Sequence, residues 1–289
     1  MNSITAIRLL AASNNERGDL FTRLTKDLFF ALGYDNLRLD VHKSGRELDI
    51  QGDHRLEPRH VVAECKAHSA KIGGEDLNKF FGALSRERKK NAPTQVAGYF
   101  VSLSGFTETG VEQELETGDD RVILLDAQEV IEELERGHVL VGRINATERA
   151  GQCAQHAGLH DATLDGLDLL GHHRGYVWAV YYGRGKERTH VALIHADGTP
   201  LAASIAREII EADRVCEGNL HSLGYVAPPH SAPKQVELEA RAIGIYRQWI
   251  GEECGFIQLD GLPADTDLSA TRLKLERLFV PLIEARTMR

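Results

Sequence analysis

Residues 46–66 read RELDIQGDHRLEPRHVVAECK, and two strands can be recognised in them. In 46–51, Leu48 and Ile50 alternate with polar neighbours, the period-two pattern of a half-buried strand. In 60–65, HVVAEC is a short apolar run of the kind that fills a buried strand. Charged residues seldom interrupt such a run without a role, yet Glu64 and Lys66 stand at its end. Residues two apart on a strand share a face, so Glu64 and Lys66 project together while Cys65 points into the core. If the two strands pair as a hairpin, Asp49 meets Glu64 across the ladder. Two carboxylates with the backbone carbonyl of Cys65 form a hard-oxygen set suited to Mg2+ or Mn2+. A lysine beside them can orient an attacking water and offset charge on a phosphorane-like transition state. The arrangement suits phosphodiester hydrolysis. A plain salt bridge at a strand end accounts for the same residues without chemistry, and an E-x-K triplet by itself arises by chance.

Outward from this stretch, strands and helices alternate. Residues 16–32 place Leu20, Phe21, Leu24, Leu28 and Leu32 at helical spacing, with Gly33 as a C-terminal cap. Residues 35–42 alternate as a strand. After Gly73-Gly74, residues 75–90 form a helix with Leu77, Phe80, Phe81 and Leu84 inside. A buried strand follows at 96–103, a short acidic helix at 107–116, a strand at 121–126 and a helix at 127–136. This order predicts an α/β fold, a mixed sheet flanked by helices.

From about residue 146 the character changes. Residues 146–175, rich in Gly, His and Ala, read as a linker with one irregular helix. Residues 176–182 and 189–196 read as strands joined by a GRGKER hairpin loop, and 200–213 and 234–250 as helices. The expected division is therefore 1–145, a smaller α/β domain at 146–250, and a connector at 251–289. Cys153, His156, His160, His172 and His173 include zinc-ligating types, but no second cysteine pair completes a site, so they read as solvated histidines. Gly183-Arg184-Gly185-Lys186 lies between strands and lacks phosphate-loop spacing.

Among 289 residues, 34 Lys/Arg face 43 Asp/Glu, a net charge of −9, which excludes a polycation that coats nucleic acid. The distribution is uneven: residues 1–90 hold 16 Lys/Arg and 13 Asp/Glu, whereas 91–145 hold 3 and 11. An anionic substrate should approach the first ninety residues. No apolar run is long enough to span a membrane, and no basic segment precedes the apolar N-terminal stretch as in a signal peptide. Four scattered cysteines without a C-x-x-C pair point to a reducing cytoplasm.

The order of motifs resembles the Mrr-like branch of the PD-(D/E)-x-K nucleases. It runs through Arg17-Gly18-Asp19-Leu20-Phe21, Gly33-Tyr34, Leu48-Asp49-Ile50-Gln51-Gly52 and Val61-Val62-Ala63-Glu64-Cys65-Lys66. It continues through residues 77–84, Gly98-Tyr99-Phe100-Val101-Ser102, Phe106-Thr107 and Leu124-Leu125-Asp126, spanning about 15–135. The resemblance implies a restriction-endonuclease-like sheet, Asp49 and Glu64 as metal ligands, and Lys66 as the catalytic lysine. Two departures stand out. Thr22 occupies the place where related nucleases carry a glutamate, for which Glu16 or Asp19 could substitute. Ala67-His68 replace the basic and aromatic residues that often follow the lysine.

Lys71, Lys79, Arg86, Arg88, Lys89 and Lys90 are candidates for phosphate contacts beside the site. Simple complementarity to the helix dipole explains the cations of 86–90 equally well. Residues 256–282, continuing into FVPLIEAR, resemble the segment that precedes the NTPase module of NACHT-type STAND proteins; an ordinary packing helix is the alternative. Together these readings predict a Mg2+-dependent endonuclease of double-stranded DNA, an antiviral effector that self-associates through an NTPase region beyond this sequence. A branched-DNA resolvase or repair nuclease, and a catalytically idle nucleic-acid-binding module, are the alternatives.

Overall fold

The computed structural model describes residues 5–43, 46–67, 70–116, 122–184 and 187–229, together with the strand pairs 257–258 and 272–273. Two compact units are present, Met1–Pro229 and His230–Arg289. In the second, the described residues pair as a short antiparallel ladder, Ile257 with Leu273 and Gln258 with Arg272. The helix expected at 234–250 and most of the 251–289 connector lie outside the described residues.

The first unit contains two mixed five-stranded sheets. The first sheet has the order β2-β3-β4-β5-β6, from β2 (Tyr34–Lys43), β3 (Arg46–His54), β4 (Arg59–Lys66), β5 (Gln95–Ser102) and β6 (Ile123–Leu125). Strands β2 and β4 run antiparallel to β3 between them, whereas β4, β5 and β6 pair in parallel. The second sheet has the order β1-β7-β8-β9-β10, from β1 (Ile7–Leu9), β7 (Thr163–His172), β8 (Gly175–Arg184), β9 (Glu187–His195) and β10 (Gly224–Tyr225).

Helix α1 (Asn14–Ala31) begins where the Ser13 side chain accepts the Glu16 N–H, and it ends before Gly33, whose φ of 90° suits glycine. Its buried Leu20, Leu24 and Leu28 recur every fourth residue and form one stripe. That stripe belongs to a core fed by both sheets: Ile50, Val61 and Ala63 come from the first, Leu169, Trp178 and Ile194 from the second. Helices α4 (Ala127–Arg136) and α5 (Arg143–His156) supply Ile131, Leu134, Ala146 and Ala150 to the same cluster. Alternate strand positions serve the outer layers. Val62 and Phe100 meet Leu77, Phe80 and Leu84 of α2 (Gly74–Asn91). Leu170, Val177 and Leu193 meet Ala206 and Ile209 of α6 (Ala203–Val215). The short α3 (Glu108–Glu116) precedes β6.

One expectation is corrected here. Residues 163–172 form strand β7, not a linker or irregular helix. The glycines that diluted its pattern have local causes: Gly166 has φ 104° within a register shift, and a Cβ at Gly171 would lie 2.8 Å from Leu9 Cδ2. Residues on the two sides of the expected boundary at 145/146 are in contact. Strand β1, from the N-terminal end, pairs in parallel with β7, and the main core is shared.

Strand β1 is locked by charge as well. Arg8 pairs with Asp213, a fully buried carboxylate on α6 that also accepts the Leu220 N–H at 2.8 Å. Removing the cation leaves that charge uncompensated in the interior. Arg8→Ala is therefore expected to cost about 3–5 kcal/mol, read as a lower unfolding free energy in urea. A loss below about 1 kcal/mol would mean the pair behaves as a surface bridge.

Candidate active site

Strands β3 and β4 pair with Ile50 opposite Ala63 and Gln51 opposite Val62. One step further along this register, Asp49 stands opposite Glu64. The Cys65 backbone N–H donates to Asp49 Oδ2 at 2.6 Å, fixing the carboxylate at the end of the ladder. Lys66 Nζ lies 2.6 Å from Glu64 Oε1, with side chains 28% and 21% exposed. The structure thus brings Asp49, Glu64 and Lys66 to one end of one strand pair. Cys65, between the two charged residues, packs against the main core, as its place in the alternation predicts.

Charge and burial act on these groups together. Burial works to lower the Lys66 pKa, but the hydrogen bond and charge of Glu64, joined by Asp49, outweigh it and raise the value. Burial, reinforced by the Asp49 and Glu64 charges, raises the Cys65 thiol well above its usual range. The thiol stays protonated and is a poor metal ligand. What the site offers a cation is hard oxygen, and the residues fit Mg2+ or Mn2+ by that chemistry.

The loops beyond β4 and β5 fence this end of the sheet. Ser102, buried and opposite Lys66 in register, donates from Oγ to Gly105 O at 3.0 Å. Ser104 Oγ donates to Ala70 O at 2.6 Å, and Ile72 N donates to Gly105 O at 3.0 Å. Gln51, on the same face as Asp49 and two residues along, is buried, and its Nε2 has no hydrogen-bond partner among the described residues. Sequence reasoning singled out neither Gln51 nor Ser102 for the site. The pairing of β4 with β5, which puts Ser102 beside Lys66, is a long-range contact with no local signal.

The candidates for a third acidic ligand are not gathered here. Glu16 Oε2 accepts the Ala12 N–H at 2.7 Å, and its charge acts on His172 of the second sheet. Asp19 is exposed on α1. Among the described residues, no third His, Cys, Asp or Glu side chain forms a compact group with Asp49 and Glu64.

The basic candidates separate along α2. That helix leaves the C-terminal end of β4 and returns to the start of β5, so its last turn lies at the far end of the sheet. Arg88 Nε donates to Val96 O at the start of β5, and Val96 pairs with His60, four residues before Glu64. Arg86, Arg88, Lys89 and Lys90 are therefore not beside the carboxylates, contrary to expectation; an 18-residue helix is about 27 Å long. Lys79 pairs with Glu75 at 2.8 Å, one turn from the helix start. Lys71 is exposed in the loop after β4, at the same end as Lys66.

Residues 14–134 match the restriction endonuclease family model of the Mrr catalytic domain, under half of the chain. The match covers the first sheet and α1 to α4, and it agrees with the resemblance read from the motifs. The chain is also similar to several solved structures. One is the protein of unknown function AF1548, at 17% identity over 48% of this chain and 79% of that one, with a TM-score of 0.34. Another is a repair endonuclease from Pyrococcus abyssi, at 16% over 40% and 46%, TM-score 0.30. A third is EndoMS in a complex with double-stranded DNA, at 14% over 44% and 46%, TM-score 0.32. The chain thus spans less than half the length of the two nuclease chains. No curated protein matches it. Among the described residues no helix is long and apolar enough to cross a membrane.

The Lys66 pKa depends on its carboxylate neighbours, and removing one should reveal the opposing effect of burial. In Glu64→Gln the Lys66 pKa is expected to fall below the ordinary lysine value, measured by NMR titration of the labelled side chain. In the parent it should titrate above that value, so the ion pair holds through neutral pH and is lost only as pH rises through it. Equal values in the two proteins would show that Glu64 does not govern the lysine.

Proposed function

We propose that this chain is a metal-dependent endonuclease that hydrolyses phosphodiester bonds of double-stranded DNA. The observation that carries the reading is the meeting of Asp49, Glu64 and Lys66 at one strand end, inside the segment that matches a restriction endonuclease family. In this reading Asp49, Glu64 and the Cys65 backbone carbonyl hold Mg2+ or Mn2+. The ion supplies Lewis-acid stabilisation of the phosphoryl oxygens and a more acidic water. Lys66, kept as an ammonium by Glu64, orients the attacking water and offsets charge that develops on the phosphate. The Cys65 N–H holds the Asp49 carboxylate in place before substrate arrives, so no reorganisation is needed at that ligand. Lys71 contacts the phosphate backbone near the cut, and the cations of 86–90 touch DNA at a distance from it.

Asp49→Ala, Glu64→Ala and Lys66→Ala are each expected to lower DNA cleavage by about 10²–10³-fold or more, with unchanged circular dichroism. Cleavage should require Mg2+ or Mn2+ and stop on chelation. Undiminished cutting by a folded Lys66→Ala chain, or by exhaustively chelated protein, would reject the assignment.

The effector role belongs to the same proposal and is supported by the STAND-like residues 256–282. One Asp49/Glu64/Lys66 set cuts one strand, and a double-strand break takes two. A net charge of −9 also weakens the hold of a single copy on a polyanion. Clustering raises the effective concentration to around millimolar across short tethers. Fusion to a ligand-induced oligomerisation module should therefore raise plasmid linearisation when the ligand is added. If dilute monomer linearises DNA at the clustered rate, control by assembly is wrong.

A further inference from the structure

Away from the carboxylate site, the turn between β7 and β8 carries two adjacent imidazoles. His172 ends β7 and pairs with Gly175 across the hairpin, leaving His173 and Arg174 as the turn residues. The two rings lie 3.9 Å apart between centroids, tilted by 46°. Glu208 of α6 approaches from the neighbouring layer, and His173 Nε2 is 3.1 Å from its Oε1. One ligand atom from each of His172, His173 and Glu208 lies within 4.8 Å of the others, and among the described residues this is the one such group.

The three differ from a surface ion cluster in two respects. His172 is buried, 4% exposed, which is uncommon for an imidazole that serves only as a solvated side chain. At Nδ1 it accepts only a long hydrogen bond, 3.4 Å, from the Arg174 backbone. The donor set is also selective. Two imidazoles and one carboxylate make a three-ligand zinc set, with the fourth tetrahedral position left to water. Adjacent ligands around such an ion stand about 3.3 Å apart for bonds of about 2.0–2.1 Å. The His173–Glu208 pair already has that spacing. His173 and Glu208 are exposed enough, 56% and 36%, to rotate the remaining distance.

We propose that His172, His173 and Glu208 bind a Zn2+ ion that ties the β7–β8 turn to α6. The site is separate from the nuclease reading and does not depend on it. Its competitor is Arg174, whose Nε is 3.0 Å from both Glu208 oxygens. Zinc must displace that guanidinium, which is exposed and free to swing into solvent.

This competition supplies the test. Untagged full chain, freed of metal, is titrated with Zn2+ alone by calorimetry, and thermal unfolding is followed with and without the ion. The parent should bind one zinc at the site and gain thermal stability. His173→Ala, at an exposed position, and Glu208→Gln, at a half-buried position outside the core clusters, should each lose at least about tenfold in affinity and lose the thermal gain. Arg174→Ala should bind more tightly than the parent, because the competing cation is gone. The proposal is overturned if the parent shows no saturable zinc binding at submillimolar free ion. It is equally overturned if both ligand variants bind zinc as the parent does.

Discussion

The hydrogen bond from the Cys65 N–H to the Asp49 carboxylate, with the β3–β4 register it closes, is the constraint on which the candidate site depends. A strand has a period of two, so a slip of one residue would move every side chain of β4 to the opposite face. Glu64 and Lys66 would then enter the main core, and Cys65 would face the site. The register is held against that slip by burial. Val61 and Ala63 fill the layer beneath α1, and Val62 fills the layer beneath α2. The apolar packing that makes β4 a buried strand is also what presents its two charged residues at the end.

Helix α1 links this site to the rest of the unit because its buried stripe is shared by two sheets. Polar contacts reinforce the packing at the second sheet. Tyr176 Oη–H donates to Asp27 Oδ2 at 2.7 Å, and Arg23 donates to the His173 carbonyl at 3.2 Å. The strand nearest the N-terminus is spent on the second sheet rather than the first. A cut of the chain near residue 145 would therefore strip α1 and α4 of the core residues that the second sheet supplies and leave β1 without its partner β7.

The first sheet was legible because its signals are local. Alternation at Leu48 and Ile50, the run HVVAEC and the i, i+4 leucines of α1 each lie within a few residues, and each element formed where expected. The second sheet was less so. Its central strand β8 was readable because its residues are buried almost throughout, whereas β7 hid behind glycines required by a bulge and by the close approach of β1. Helix α5 hid because its buried residues, Ala146, Ala150, Cys153 and Ala154, are small enough to leave no hydrophobic stripe. The position of the 86–90 cations also escaped sequence reasoning. Composition shows that they end a helix, but only the β4–α2–β5 crossover tells which end of the sheet that is.

The two proposed ligand sets in this unit would divide metals by their chemistry. Carboxylate and carbonyl oxygens, with the Cys65 thiol held protonated, would favour a hard ion such as Mg2+. Imidazole raises the preference for zinc, which bare carboxylates do not distinguish so sharply from other divalent ions. Each set also carries its own internal cation, Lys66 at Glu64 and Arg174 at Glu208, which neutralises the carboxylate until an ion arrives. The difference lies in what that cation does next. Lys66 is half-buried on the same strand as its partner and stays at the site, where its charge remains available to substrate. Arg174 sits in an exposed turn and can leave, giving Glu208 up to a metal. Under the proposed function the first set would serve turnover at a phosphate, and under the proposed zinc site the second would hold one ion in place.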